Sequence, residues 1–351
     1  MSAEWAEVER VFLDACGLQG AARAAYLDDA CAGRAELRAE VESLLAAGEQ
    51  RGHFLEAPPS SLAADLLDRQ PAVLAAGQRV GAYVVRRLVS RGGMGEVYLA
   101  EDALNGDRVG LKLLRRHMTA DAHAAERFER EARAAGTLLH ENIVRASEFG
   151  QAEAGLFLAM EWVEGETWRV RMRGEVSPGQ ALDWSRQAAR GFAAAHEAGI
   201  LHRDIKPENL MLTVEGVVKI LDFGLARLGG EPVVEMPGAG SSGTISGTLS
   251  GTLPYMSPEL LRGETATKAS DVFSLGSVLY ELFTGRHPFA GETPLDVFEA
   301  IECRTPDAPS QVRTAIPREL DGLLLGMLDR EPEARPAMTD VAERLASIRA
   351  V

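Results

Sequence analysis

Cysteine is scarce. Cys16, Cys31 and Cys303 are odd in number, far apart and in no metal-ligand spacing, which argues against a disulfide framework and fits a reducing compartment. Long apolar runs are missing as well, and no stretch approaches the ~18 residues needed to span a bilayer. The acidic start with its early Trp5 lacks the basic and apolar regions of a secretory signal. A cytoplasmic chain with no membrane segment is expected. Positive charge is also in deficit. A formal charge of -15 argues against broad nucleic-acid or anionic-membrane binding, because a phosphate surface demands a basic face. The first 75 residues contain no lysine, six arginines and thirteen acids.

What remains is ample for a packed protein. With 351 residues, 46% hydrophobic and 25% charged, the chain can fill two or three cores. In its first part Trp5, Val8, Phe12 and Ala15 recur at helical spacing, as do Leu37, Val41, Leu44 and Leu45, and Pro58, Pro59 and Pro71 punctuate the end. A small helical module and linker over residues 1–75 is expected, serving packing, partner docking or regulation. From Val80 the texture changes. Residues 80–88, 96–101 and 108–114 alternate or run apolar between turn residues, as antiparallel strands do. Beyond residue 175 helical patterns dominate, notably 271–283 and 320–328. A strand-rich piece followed by a helix-rich piece implies two lobes and a cleft.

Four groups of residues carry chemistry. Ser90-Arg91-Gly92-Gly93-Met94-Gly95-Glu96-Val97 lies between two strands, where glycines let backbone amides approach phosphate oxygens. Val109-Gly110-Leu111-Lys112 places a lysine on a later strand. A buried lysine needs an anionic partner, and Glu131, in the helical stretch 127–139, can supply one. His202-Arg203-Asp204-Ile205-Lys206-Pro207-Glu208-Asn209 spaces Asp204 and Asn209 five apart on a loop stiffened by Pro207. Asp222-Phe223-Gly224 then follows a hairpin-like 217–221. Phosphoryl transfer needs an in-line hydroxyl, cations on the β and γ oxygens and little covalent help. Two oxygen ligands for Mg²⁺, a carboxylate for the hydroxyl and a lysine for the moving charge meet that need.

These motifs, with Ser257-Pro258-Glu259, Asp271 and Arg335, make residues 80 to about 347 resemble the bacterial eukaryotic-like Ser/Thr protein kinases. The resemblance implies an α+β, bilobal protein kinase fold: an N-lobe (80–163) of antiparallel sheet and one helix, and a mainly helical C-lobe (164–347). It further implies that Lys112 contacts the ATP α and β phosphates and pairs with Glu131. Asp204 takes the substrate proton, Lys206 steadies the γ-phosphate, and Asn209 and Asp222 hold Mg²⁺, with Mn²⁺ as an alternative. Glu259 pairs with Arg335, and Asp271 anchors the catalytic loop. Met160 guards the rear of the adenine pocket, the backbones of Glu161 and Val163 meet the adenine edge, and Val89, Val97 and Met211 sandwich its faces.

The run GSSGTISGTLSGTLPYMSPE, residues 240–259, falls in what the resemblance makes an activation segment (222–259), longer than the ~12–15 residues usual for structureless loops. Related kinases place their autophosphorylated pair eight and six residues before the Thr of a Gly-Thr step. That step is Gly251-Thr252 here, which points to Thr244 and Ser246, with Thr248 next. Arg203 and Arg227 could bind the phosphates. Lys206 and Thr252 fit serine or threonine as acceptor, and Glu208 suggests a basic residue in the substrate. Protein substrates and self-association for trans-autophosphorylation are the expected partners. Three departures stand out: Ser90 replaces the first loop glycine, Gly110 the usual alanine over adenine, and Phe273 a tryptophan. A lost methyl contact is worth about 0.8 kcal/mol, enough to tune ATP affinity and too little to remove a catalytic group. A pseudokinase scaffold usually lacks the lysine or one of the aspartates, all present here. Small-molecule phosphotransferases lack the long segment and the Glu-Arg pair.

Overall fold

A computed structural model describes residues 73–92, 95–114, 136–223 and 253–349, with scattered positions between 11 and 41. The chain divides into two units, Met1–Leu67 and Asp68–Val351. In the first, Val11, Ala15, Leu27, Cys31 and Val41 are buried together, with Tyr26, Ala30 and Leu37 packed against them. Ala15, Leu37 and Val41 of the predicted helical spacing thus lie in a small core; Trp5, Val8, Phe12, Leu44 and Leu45 fall outside the described residues.

The second unit opens with a six-stranded antiparallel sheet. Its strands are β1 (Arg79–Val80), β2 (Tyr83–Gly92), β3 (Gly95–Asp102), β4 (Arg108–Leu114), β5 (Ala146–Ala152) and β6 (Gly155–Glu161), in the order β1-β2-β3-β4-β6-β5. The first strand expected from sequence, 80–88, divides in two, because Gly81 adopts φ +59 and turns the chain between β1 and β2. Strand β2 also runs on through the glycine-rich stretch. Ser90 pairs with Val97, Arg91 with Glu96 and Gly92 with Gly95, so the loop of the sequence reading is mostly a hairpin. Alternation fixes the two faces. Tyr98, Ala100, Leu111 and Leu113 share a buried cluster with Leu74, Val80, Tyr83, Val85 and Phe157. Val97, Gly110 and Lys112 therefore face the other way, with Val97 opposite Lys112 and Gly110 opposite Met160.

Leu74, 2% exposed, belongs to this core. The predicted helix 127–139 lies largely outside the described residues; within them helix persists at Gly136 and ends before Leu138.

A smaller antiparallel sheet follows, β7 (Gly165–Thr167), β8 (Leu210–Thr213) and β9 (Val218–Ile220), in sequence order. The helices are α1 (Trp168–Arg171), α2 (Pro178–Glu197), α3 (Pro258–Leu261), α4 (Lys268–Thr284), α5 (Pro294–Cys303), α6 (Pro309–Val312), α7 (Glu319–Met327) and α8 (Met338–Ser347). Ser177 and Gln180 form a capping box at the start of α2, just ahead of Pro178, which satisfies backbone donors that the helix leaves orphaned. Helix α4 is buried almost all round and ends on Gly285 at φ +72, a left-handed cap that glycine takes without steric cost. Its Leu275, Leu279 and Phe283 join Phe192, Leu320 and Leu324 in the main core. Each such side chain contributes about 1.5–3 kcal/mol on burial. That rigid helix is what positions the site.

Candidate active site

Asp271 occupies the first turn of α4 and is 2% exposed. A buried carboxylate must be satisfied. Its Oδ2 accepts from the His202 N–H at 2.8 Å and contacts His196 Nε2 at 2.8 Å, while Oδ1 accepts from the Arg203 N–H at 2.8 Å. The helix N-terminus adds favourable dipole charge. Held this way, Arg203 takes φ +69, a conformation that costs a residue with a Cβ roughly 1–2 kcal/mol. Asp222 does the same at φ +61. Such strain collects where surrounding structure enforces a functional geometry.

The ring of His202 ties the two strained positions together. Its Nε2 faces the carbonyl of Leu221 at 2.7 Å, which can only accept, so Nε2 donates; Nδ1 accepts from the Asp204 N–H at 3.2 Å. Phe223 and Phe192 pack edge-on to it, with centroids 4.9 and 5.6 Å away. Asn209 completes the loop. Its Nδ2 donates to the Asp204 carbonyl at 2.7 Å and to Asp204 Oδ2 at 3.0 Å, and its carbonyl accepts from the Leu221 N–H at 2.9 Å. Lys206 Nζ lies 2.8 Å from Asp204 Oδ2.

Lys112 comes from the other lobe. Its Nζ pairs with Asp222 at 2.9 Å, and its side chain is 6% exposed. In sequence these two are far apart; in space Lys112 reaches the residue after Leu221, which is itself hydrogen-bonded to His202 and Asn209 of the loop carrying Asp204 and Lys206. Glu131, the partner expected for Lys112, lies outside the described residues, as do Arg227, Thr244, Ser246, Thr248 and Thr252.

Of the residues expected around the adenine, Met160 and Val163 are buried, Val97 and Met211 half-buried and Val89 exposed. The side chain of Glu161 accepts from the Arg145 N–H at 3.1 Å and pairs with Lys219. A Cβ added at Gly95, where φ is +155, would fall 2.0 Å from the Leu113 carbonyl; one at Gly92 would meet nothing within 4 Å. At Gly110 it would meet Met160 Cγ at 3.1 Å, so Met160 fills the space an alanine methyl would take. Phe273 stacks on Phe289 with centroids 5.6 Å apart and lies under Arg335. Ser90 pairs with Val97 across the hairpin.

Away from the cleft, Glu259 accepts two hydrogen bonds from Arg335, at 2.8 and 2.9 Å. Sequence reasoning passed over His196 and the network in which Arg169 donates to Glu208 at 2.7 Å, to Glu281 at 2.8 Å and to Tyr255. Its members are scattered between positions 169 and 281, and no local spacing announces them. Burial pushes the Tyr255 hydroxyl far up, reinforced by Glu281; the Arg169 guanidinium, penalised by burial, is nonetheless raised by Glu208, Tyr255 and Glu281.

The chain is 37% identical over 262 residues to the serine/threonine-protein kinase PrkC of Bacillus subtilis, covering 73% of this chain and 39% of that protein. It is 37% identical over 259 residues to the serine/threonine-protein kinase PknB of Mycobacterium leprae, covering 72% and 40%. The chain thus spans about two fifths of the length of these relatives. The crystal structure of the Mycobacterium tuberculosis PknI kinase domain superposes with a TM-score of 0.60 at 27% identity, over 78% of this chain and 98% of that one. No helix among the described residues is long and apolar enough to cross a membrane. Residues 83–345 match the protein kinase domain, and the chain belongs to that family.

Proposed function

We propose that this chain is a protein-serine/threonine kinase of the bacterial kind, moving the γ-phosphate of ATP to Ser or Thr hydroxyls of proteins. The observation that carries the reading is the 2.9 Å pair between Lys112 and Asp222, which brings a lysine of the sheet lobe onto the loop system holding Asp204 and Asn209. Each group then has a task. Asp204 orients the acceptor hydroxyl and takes its proton. Lys206, already at Asp204, steadies the γ-phosphate. Lys112 holds the α and β phosphates, with Glu131 as its second partner. The adenine lies between Val89, Val97 and Met211, against Gly110, with Met160 behind and the Glu161 and Val163 backbones at its edge. Gly92, Gly95 and Ser90 cover the phosphates.

Asn209 and Asp222 fit Mg²⁺ or Mn²⁺, both hard cations that take oxygen ligands. The Asn209 Nδ2 is committed to Asp204, which leaves its Oδ1 for the cation beside the Asp222 carboxylate. Bound there, the ion would neutralise charge developing on the β and γ oxygens. Cys31 and Cys303 are free thiols, which suits a cytoplasmic setting.

The activation segment supplies acceptors of its own. Thr244, Ser246 and Thr248 are the proposed autophosphorylation sites, modified in trans between copies, with Arg203 and Arg227 binding the product charge and Thr252 facing the acceptor. The test is transfer of label from radioactive Mg-ATP by wild type, Asp204→Asn and Lys112→Met. Label should follow wild type alone, and equal label in all three would overturn the proposal. Peptide mapping should find phosphate within 240–250.

A further inference from the structure

The stretch Glu96-Val97-Tyr98 has two faces. Val97 points into the cleft opposite Lys112, whereas Glu96 and Tyr98 point to the outer side of the sheet, opposite Leu113 and Leu111. There they meet the segment that precedes β1. Glu96 Oε2 accepts from the Val73 N–H at 3.0 Å. The Tyr98 hydroxyl accepts from the Leu74 N–H at 3.0 Å and donates to Glu96. Glu96 Oε1 also lies 3.0 Å from Arg91 Nε across the hairpin, with both side chains nearly buried. Leu74 itself is in the sheet's core.

We infer that Glu96 and Tyr98 are positioning residues through which Val73 and Leu74 hold the glycine-rich hairpin in its nucleotide-binding shape. The inference rests on the kinase reading above and adds a dependence that reading does not contain. One carboxylate joins Arg91, Val73 and Tyr98, so the entering segment cannot move without disturbing the strand pair that ends at Gly92 and Gly95. Burial and then Glu96 push the Tyr98 hydroxyl up to about 12, so it keeps its proton and its donor role at neutral pH.

Tyr98→Phe, Val73→Pro and Glu96→Gln in the 351-residue chain test it. The first removes only a hydroxyl and keeps the ring that fills the core. The second removes the N–H donor of an exposed residue and also fixes the backbone there, so its effect is read beside that of Tyr98→Phe. The third keeps the shape and loses the charge. Tyr98→Phe and Val73→Pro should each raise KM for ATP, and the Kd for Mg-ADP measured by calorimetry, roughly two- to tenfold, the range of one net hydrogen bond. The kcat should stay within about twofold, since no group at the reacting atoms changes. The double variant should be little worse than either single one, because both open the same clamp. Glu96→Gln should fall between wild type and Tyr98→Phe. A lower Tm with KM and Kd unchanged in both single variants would overturn the inference and leave a packing role only. A wild-type chain that binds no Mg-ADP would overturn the active-site reading, and this inference with it.

Discussion

Arg335 and Glu259, 76 residues apart, form a two-pronged ion pair whose side chains are 0% and 3% exposed. The remaining guanidinium contacts are the carbonyls of Asp329, Ala269 and Arg330, and Ser270 donates to Glu259 at 2.7 Å. Every group is satisfied, so removal of one partner strands the other. Arg335→Ala should destabilise the second unit by about 3–5 kcal/mol, and Arg335→Lys by less, since one prong survives. Denaturant midpoints measure this. A midpoint shared by all three proteins would rule the bridge out as a structural tie.

The same pair sets an acid limit. Burial raises the Glu259 carboxyl, but hydrogen bonds from Arg335 and Ser270 outweigh it and leave the group below its ordinary value of 4.5. A depressed carboxylate gives stability that is present above 4.5 and is lost as pH falls through the lower folded value. Unfolding free energies measured from pH 6 downward should drop below 4.5 in wild type, and Arg335→Ala should lack that part of the slope.

His287 acts in a higher window. Burial holds its imidazole down at about 4, against an ordinary 6.5. Between those values the unfolded chain binds the proton more readily, so stability should fall as pH drops from 6.5 to 4 and level off below. The whole step amounts to about 3 kcal/mol. His287→Asn keeps an acceptor for the Phe289 N–H, now 3.1 Å from Nδ1, and should remove this step. Identical pH profiles for the two proteins would contradict it.

Gly95 and Gly92 should answer differently to the same change. An alanine Cβ at Gly95 would collide with the Leu113 carbonyl, so Gly95→Ala should lower Tm and weaken ATP binding together. Gly92→Ala meets no neighbour; it should leave Tm unchanged and raise KM for ATP through crowding of the phosphates. Equal Tm losses would show that both positions matter only for folding.

Asp271→Ala should separate binding from chemistry. It leaves the His202 and Arg203 amides without their acceptor, freeing a loop held at positive φ. A misplacement of about 1 Å at the catalytic loop can cost on the order of a hundredfold in kcat. KM for ATP should change far less, because Lys112 and the hairpin stay in place. Steady-state kinetics decide it, and an unaltered kcat would exclude the anchoring role.

Much of this was legible beforehand because it is local. Alternating residues gave β4, and a helical pattern gave the region of α4, since each follows from the side-chain period of its own segment. The loop carrying Asp204, Lys206 and Asn209 could be placed because its residues are close in sequence. The division of 80–88 at Gly81 was missed, as a single glycine carries no sign of its φ. Leu74 looked like linker because one leucine after Pro71 shows no period.

The sequence by itself determined the kinds of groups available: a lysine on a strand, a carboxylate and an amide five residues apart, a second carboxylate after a hairpin, and glycines where backbone must come close. Tertiary structure decided which of them meet. Asp271 could reach the His202 and Arg203 amides only because α4 is buried on nearly every side, and Lys112 could reach Asp222 only because two lobes with separate cores close on one another. Such contacts span long stretches of chain, and their energy comes from burial and shape complementarity that no local pattern encodes.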